Sequence, residues 1–293
     1  MSESSEAREW VGERWLARAI PHRLTDWVGV IGLVVFALLV FMALFPAWLA
    51  PYDPTELVGQ PFTRPNAKFV LGTNDIGQDL LSELIWSARI SLSTGLVAAA
   101  IAMIIGTAVG LVAGYTSGAV GTTLMRLADL TLVLPFLPLV ILLSAYLGPS
   151  QRNVIAVLAL VSWAGPARII RAQVLTLRQA EYVEAARAVG VSQSRILLKH
   201  IWPAVSVVAL VQFVLVAANS ILAEASLSFL GLGDPTAKSW GTMLYFAQAR
   251  GVFLTPAWSW WVLPTGAMIT VSILSLVLIG YWLEERLEPA LRR

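Results

Sequence analysis

Residues 27–50 run without a single charged side chain, and long apolar blocks recur at 90–115, 124–147, 154–170, 204–232 and 258–283. A helix needs about 20 apolar residues, rising about 1.5 Å each, to cross a bilayer's hydrocarbon core. A water-soluble domain has little use for so many such runs, because the outer face of its helices must meet water. Composition agrees: 57% of residues are hydrophobic, 13% are charged and mean hydropathy is +0.74, whereas a soluble domain carries about 25% charged residues. The expected fold is all-α, a polytopic membrane protein of six transmembrane helices set in a lipid bilayer.

The blocks divide the chain into an N-terminal tail (1–26), a first transmembrane helix (27–50), a polar linker (51–83), a core of five further transmembrane helices (84–283) and a C-terminal tail (284–293). Residues 27–50 exceed the apolar core of about 7–15 residues found in a cleaved signal peptide, so they are read as a retained anchor. The linker holds Pro51, Pro54, Pro61 and Pro65 and the turn-forming run Gly72-Thr73-Asn74-Asp75, so it cannot be one continuous helix and must lie outside the hydrocarbon. Six spans place both termini on one side, and the basic residues choose that side. The N-terminal tail (Arg8, Arg14, Arg18, Arg23), the loop after the fourth span (Arg168, Arg171, Arg178, Arg187, Arg195, Lys199) and the C-terminal tail (Arg286, Arg292, Arg293) fall together, against Arg64, Lys68, Arg152, Lys238 and Arg250 opposite. Both tails are therefore expected in the cytoplasm, and the linker outside it. Trp48, Trp258, Trp260 and Trp261 fall at outer span ends and read as interfacial anchors, the alternative being the lining of an entry vestibule.

The chain has no cysteine and only two histidines, His22 and His200. Disulfides, thiolate metal sites, cysteine nucleophiles and any metal-ligand spacing are excluded together. A net charge of +2 gives no reason to expect nucleic acid. There is no Gly-x-x-x-x-Gly-Lys-Ser/Thr phosphate loop, no Gly-x-Ser-x-Gly elbow and no His-Glu-x-x-His, which argues against ATP bound at such a loop and against two common hydrolase sites.

Within the spans, Gly106, Gly110 and Gly114 recur every four residues, giving one helix face without side chains against which a neighbour packs closely, in this subunit or in another. Pro135 and Pro138 are expected to kink the third span, because each removes a backbone hydrogen bond. Arg126, Asp129 and Glu224 are ionisable groups near or within the membrane, where an unpaired charge costs at least ~2.5–3.5 kcal/mol. Arg126 and Asp129 stand at i, i+3 and are expected to pair. Glu224 either holds the fifth span to a neighbour or lines a solute path.

The one long basic-side segment between spans, residues 177–203, carries Glu181, Glu184, Ala185, Ala186 and Arg187 in a run of good helix formers. Gly190 should end that helix with a left-handed cap, and Ser192 should start another. Val183, Ala186, Val189, Ile196 and Leu197 supply a modest apolar stripe. From residues alone, this surface helix either rests on headgroups or receives another protein.

Glu184-Ala185-Ala186, Gly190 and Pro203 resemble the EAA loop of ATP-binding-cassette importer permeases, with His200-Ile201-Trp202 departing from the usual hydrophobic pattern before the proline. Residues 71–79, Leu-Gly-Thr-Asn-Asp-Ile-Gly-Gln-Asp, are similar to the LGTDxxGRD segment of the dipeptide/oligopeptide/nickel branch, Asn74 and Gln78 being the departures. Ala88-Arg89-Ile90-Ser91-Leu92, Met125-Arg126-Leu127-Ala128-Asp129, the stretch 227–233 and Trp240-Gly241-Thr242-Met243-Leu244 resemble further segments in family order. The resemblance implies a passive half-pore in the inner membrane of a prokaryote. Its implied partners are a homologous second permease subunit, two ATP-binding subunits that carry the ATP and Mg, and an extracytoplasmic solute-binding protein. This chain would bind no cofactor, and Glu181, Glu184, Ala185, Ala186, Arg187, Gly190 and Pro203 would couple it to the ATPase. Peptides, nickel chelates and oligosaccharides are the solutes implied. A stand-alone secondary transporter would call for internal repeats, and no convincing repeat relates the two halves.

Overall fold

The computed structural model describes residues 22–116 and 118–291. The expectations for residues 1–21 and 292–293, with Arg8, Arg14, Arg18, Arg292 and Arg293, lie outside the described residues. Five helices are long and apolar enough to cross a membrane, and a sharply bent pair makes a sixth crossing if its halves count as one span. Among the described residues there is no strand, only a bridge between Thr73 and Asp79.

Helix α1, His22–Leu44, is the first apolar run; α2, Leu80–Tyr115, is the second. The linker ends earlier than expected, because the Asp79 side chain accepts the Ser82 N–H at 2.8 Å and starts α2 there. That N-cap satisfies one of the first turn's free N–H groups, so Leu80–Glu83 are helix and not linker. The third apolar block is not a continuous helix: α3, Ala119–Val133, and α4, Phe136–Leu147, meet at 91°. The proline-driven kink is thus a full break, with Leu134 extended and Pro135 capping α4.

The fourth block is α5, Gln151–Ser162, running into α6, Ala164–Leu177. This helix outlasts the expected boundary at residue 170, so Arg168 and Arg171 belong to α6 and not to the loop beyond it. After the short α7, Glu181–Ala188, the chain rises through α8, Trp202–Phe229, crosses the far end in α9, Trp240–Ala249, and returns in α10, Val262–Leu291.

Helix α2 is the central post, packed on α6, α8, α5 and α1, while α10 packs on α1 and α8. Glycines allow the closest approaches. A Cβ at Gly106 would stand 2.7 Å from the Trp163 carbonyl oxygen, one at Gly110 2.7 Å from that of Ala167, and one at Gly114 2.7 Å from Val174 Cβ. All three glycines therefore meet α6 of the same chain. Gly29 and Gly32 do the same for α1 against Trp282 and Ser275 on α10. Two expected anchors turn out differently. Trp261 is buried to 1% exposure in the main core beside Trp240, and Trp260 is half-buried. Of the four expected anchors, Trp48 and Trp258 are exposed.

Candidate functional site

Helix α7 opens with Glu181 and Glu184 in its first turn and closes with Arg187 in its last, which suits the helix dipole at both ends. It then ends in a Schellman motif. The Gly190 N–H reaches the Arg187 carbonyl and the Val191 N–H reaches the Ala186 carbonyl, both at 3.1 Å. Gly190 takes φ +80°, where an L side chain is strained although nothing stands within 4 Å of an added Cβ. Its requirement is therefore conformational and not steric.

Val183 is fully buried with Ile170, Val174, Ile196, Ile201 and Val205, which fastens α7 under the ends of α6 and α8. The expected apolar stripe is narrower than read, because Val189 is exposed beside the cap. Glu181, Glu184, Ala185 and Arg187 face outward, and Ala186 is half-buried. Ser192 occupies its N-cap position with extended backbone, but its side chain makes no capping bond. Pro203 stands at the head of α8, just after a π-helical turn at Leu197–Ile201. A proline at 203 has no N–H to give the previous turn, and the wider π turn accommodates that loss. A cavity of ≈ 350 Å³ opens beside α7, lined by Tyr115, Arg178, Gln179, Glu184, Arg187 and Gln193. Arg178 Nη1 donates to the Gly114 carbonyl at 3.2 Å, tying this region to the foot of α2.

Asp129 does not pair with Arg126. Its partner is Arg168 of α6, with Nε 3.7 Å from Oδ1 and side chains 60% (Arg168) and 56% (Asp129) exposed. The physical reason is packing: Met125 and Ala128 seat α3 on Ala164 and Ala167 of α6, which brings residue 168 to residue 129. Arg126 lies exposed on the same side of α3.

Glu224 is 3% exposed. Ser228 Oγ donates to its Oε1 at 2.7 Å, and the hydroxyls of Ser91 and Ser239 lie close to the carboxyl. Those two oxygens already accept the N–H groups of Trp240 and Thr242, so their own hydrogens are free to point at Glu224. Oε2 has no hydrogen-bond partner of standard geometry. A gap of ≈ 10 Å³ lies alongside, bordered also by Thr94 and Gln151, which is about the room one water needs. Glu224 thus joins α8, α2 and the start of α9.

A second polar knot, which the sequence does not reveal, locks the linker to the α8–α9 connection. Lys238 Nζ stands 3.3 Å from Glu83 Oε1 and donates to Gln78 Oε1 at 2.6 Å and to the Pro54 carbonyl. Asn74 Nδ2 donates to Glu83 Oε2 and to Gln78 Oε1. Asn74 and Gln78 are the two departures from the segment described above, and here they form a neutral pair hydrogen-bonded to each other. Arg250 and Asp75 add an ion pair at 2.8 Å.

Comparison with known proteins places this arrangement. Residues 106–293 match the family model described as binding-protein-dependent transport system inner membrane component, and residues 24–68 match the N-terminal TM domain of oligopeptide transport permease C. The chain is 39% identical over 269 residues to the di/tripeptide transport system permease protein DppC of Pseudomonas aeruginosa, covering 89% of this chain and 88% of that one. It is 33% identical over 269 residues to the oligopeptide transport system permease protein OppC of Bacillus subtilis, covering 91% and 87%. Among solved structures, a chain of the MetNI methionine ABC transporter in inward facing conformations superposes with a TM-score of 0.50 at 18% identity, over 73% of this chain and 96% of that one. At that identity the likeness is one of fold.

Proposed function

The chain belongs to the family of binding-protein-dependent transport system inner membrane components, and on that premise we propose that it is the permease subunit of an ATP-driven importer of di- or oligopeptides. It lies in the cytoplasmic membrane with both termini and α7 on the inner side. A homologous second permease subunit completes the passage, two ATP-binding subunits hold the ATP and Mg, and an extracytoplasmic solute-binding protein delivers solute to the linker and the α8–α9 connection. This chain itself uses no cofactor.

The observation that carries the coupling role is the mounting of α7. Val183 and Ile196 anchor it in a dry cluster, while Glu181, Glu184 and Ala185 are presented outward on a helix closed by Gly190. A push on α7 is therefore transmitted to α6 and α8 and not absorbed by a loose loop. Because ATP moves the two access states apart only by binding one of them better, the contact must differ between states.

The test is reconstitution of the importer with its partner subunits and binding protein in vesicles. Glu184→Ala is expected to abolish peptide uptake and the ATP hydrolysis that the binding protein stimulates, with normal membrane insertion. Full uptake by that variant sinks the coupling role. At Gly190 the left-handed conformation gives a graded result. Gly190→Val, β-branched at positive φ, should fail as Glu184→Ala does. Gly190→Asn, which tolerates that conformation, should keep most uptake.

A further inference from the structure

We propose that the stripe of Arg126, Asp129, Leu130 and Val133 on α3, with Arg168 beside it, is a wall of the water-filled passage crossed by the transported solute. This rests on the reading of the chain as half of such a passage.

The first observation is the break above the stripe. Helix α3 stops at Val133, Leu134 is extended with ψ 136°, and Pro135 has no N–H. Among the described residues no backbone hydrogen bond from beyond the helix reaches the carbonyls of residues 131–133, and the nitrogen that would meet the first of them is that of Pro135. The break divides an apolar segment, about 20 Å along α3 from its first residue, so it falls at membrane depth. Hydrocarbon cannot satisfy these groups, and irregular backbone at that depth persists only inside protein or against water. This chain does not cover the break: Val133 is 80% exposed and Leu134 50%.

The second observation is charge. Asp129 and Arg168 are more than half exposed, on the same side as the break. Positions 126, 129, 130 and 133 follow helical spacing, so Arg126, Asp129 and the last turn's uncovered residues share one stripe. A lipid contact there is disfavoured by charge and by backbone alike. A dry seam with a second subunit would need a matched donor for every free carbonyl and a counterion for Arg126. Water supplies all of these without matching, and a passage for a solute bearing both charges needs such a wall.

The chain contains no cysteine, so Leu130→Cys, Val133→Cys and a control, Leu38→Cys at an exposed α1 position, each introduce one thiol. The assembled importer, in vesicles opened to both sides, is treated with a charged, membrane-impermeant thiosulfonate, and labelling of this subunit is read on a gel. Thiols react as thiolates, which require water. Cysteines at 130 and 133 are therefore expected to react at least about tenfold faster than the one at 38, and dipeptide at saturating concentration should slow them. Labelling after denaturation shows that each thiol is present. Reaction at 130 and 133 as slow as at 38 overturns the proposal, whether lipid or a dry subunit seam covers them. Uptake measured on each variant separates the two readings: active transport with unreactive cysteines removes the passage wall alone, whereas a wild-type assembly that imports no peptide removes the function proposed above.

Discussion

Lys238→Met is expected to lower the thermal midpoint of the detergent-solubilised protein by on the order of 10 °C, through loss of about 3 kcal/mol. Glu83 is 4% exposed in the first turn of α2, and Lys238 is the cation that faces it. Removing one member of a buried ion pair leaves the other charge desolvated and uncompensated, which is the costly half of such a change. The figure is kept to the low end of what buried pairs show because a quarter of the Lys238 side chain remains accessible. Asn74 and Gln78 cannot replace the cation. Asn74 already donates to Glu83, and Gln78 presents its carbonyl oxygen to Lys238. The double variant Glu83→Gln/Lys238→Met should recover most of the loss, since no charge is then stranded. If it unfolds as early as the single variant, the lysine acts through the Pro54 and Gln78 contacts and not through charge. Because this knot ties the linker to the α8–α9 connection, Lys238→Met should also weaken capture of the loaded binding protein if that surface is its dock.

The membrane-crossing architecture was legible because hydrocarbon imposes length and apolarity residue by residue, and nothing distant is needed to read either. The α7 loop was legible for another local reason. A left-handed glycine, acids in a first helical turn and a proline after the next turn are signals confined to the stretch from Glu181 to Pro203. What escaped was set by contacts between helices. The i, i+3 spacing of Arg126 and Asp129 suggested a local pair, yet the packing of α3 on α6 offers Asp129 a partner from the neighbouring helix. Arg168 and Arg171 looked like the start of a loop, because a charge ends an apolar run on paper. In the structure α6 continues to Leu177, with Arg168 on its uncovered side. Hydropathy averages across Pro135 and reports one span where the backbone turns by 91°. Trp261 reads as an interfacial anchor only until the linker folds over it, with Phe62 at 6.4 Å from its ring. Lys238 and Glu83 carry no local mark of each other.

Gly110→Ala is expected to prevent stable folding or to remove about 3 kcal/mol or more, the upper range for overpacking a helix interface. The added methyl would lie 2.7 Å from the Ala167 carbonyl oxygen and 2.7 Å from Ile170 Cβ. One opposed atom is main chain and the other is a branch point fixed to it, so no rotamer change relieves the contact and α2 must move away from α6. Gly165→Ala is the matched control. It adds the same methyl to α6, where nothing stands within 4 Å, and in a helix that exchange should be neutral or stabilising by up to about 1 kcal/mol. Midpoints of heat-induced aggregation of the isolated subunit check both. Equal behaviour of the two variants would show that the α2–α6 approach is looser than the glycine spacing implies. The size of the effect follows from where α6 sits. It holds Arg168 beside α3 at one level, and near its far end it supplies Ile170 and Val174 to the cluster that seats Val183 of α7. A shift of α6 by a fraction of an ångström therefore disturbs the proposed passage wall and the proposed coupling helix together. For that reason, any alanine variant at Gly106 or Gly114 that still folds should show uptake falling further than stability does.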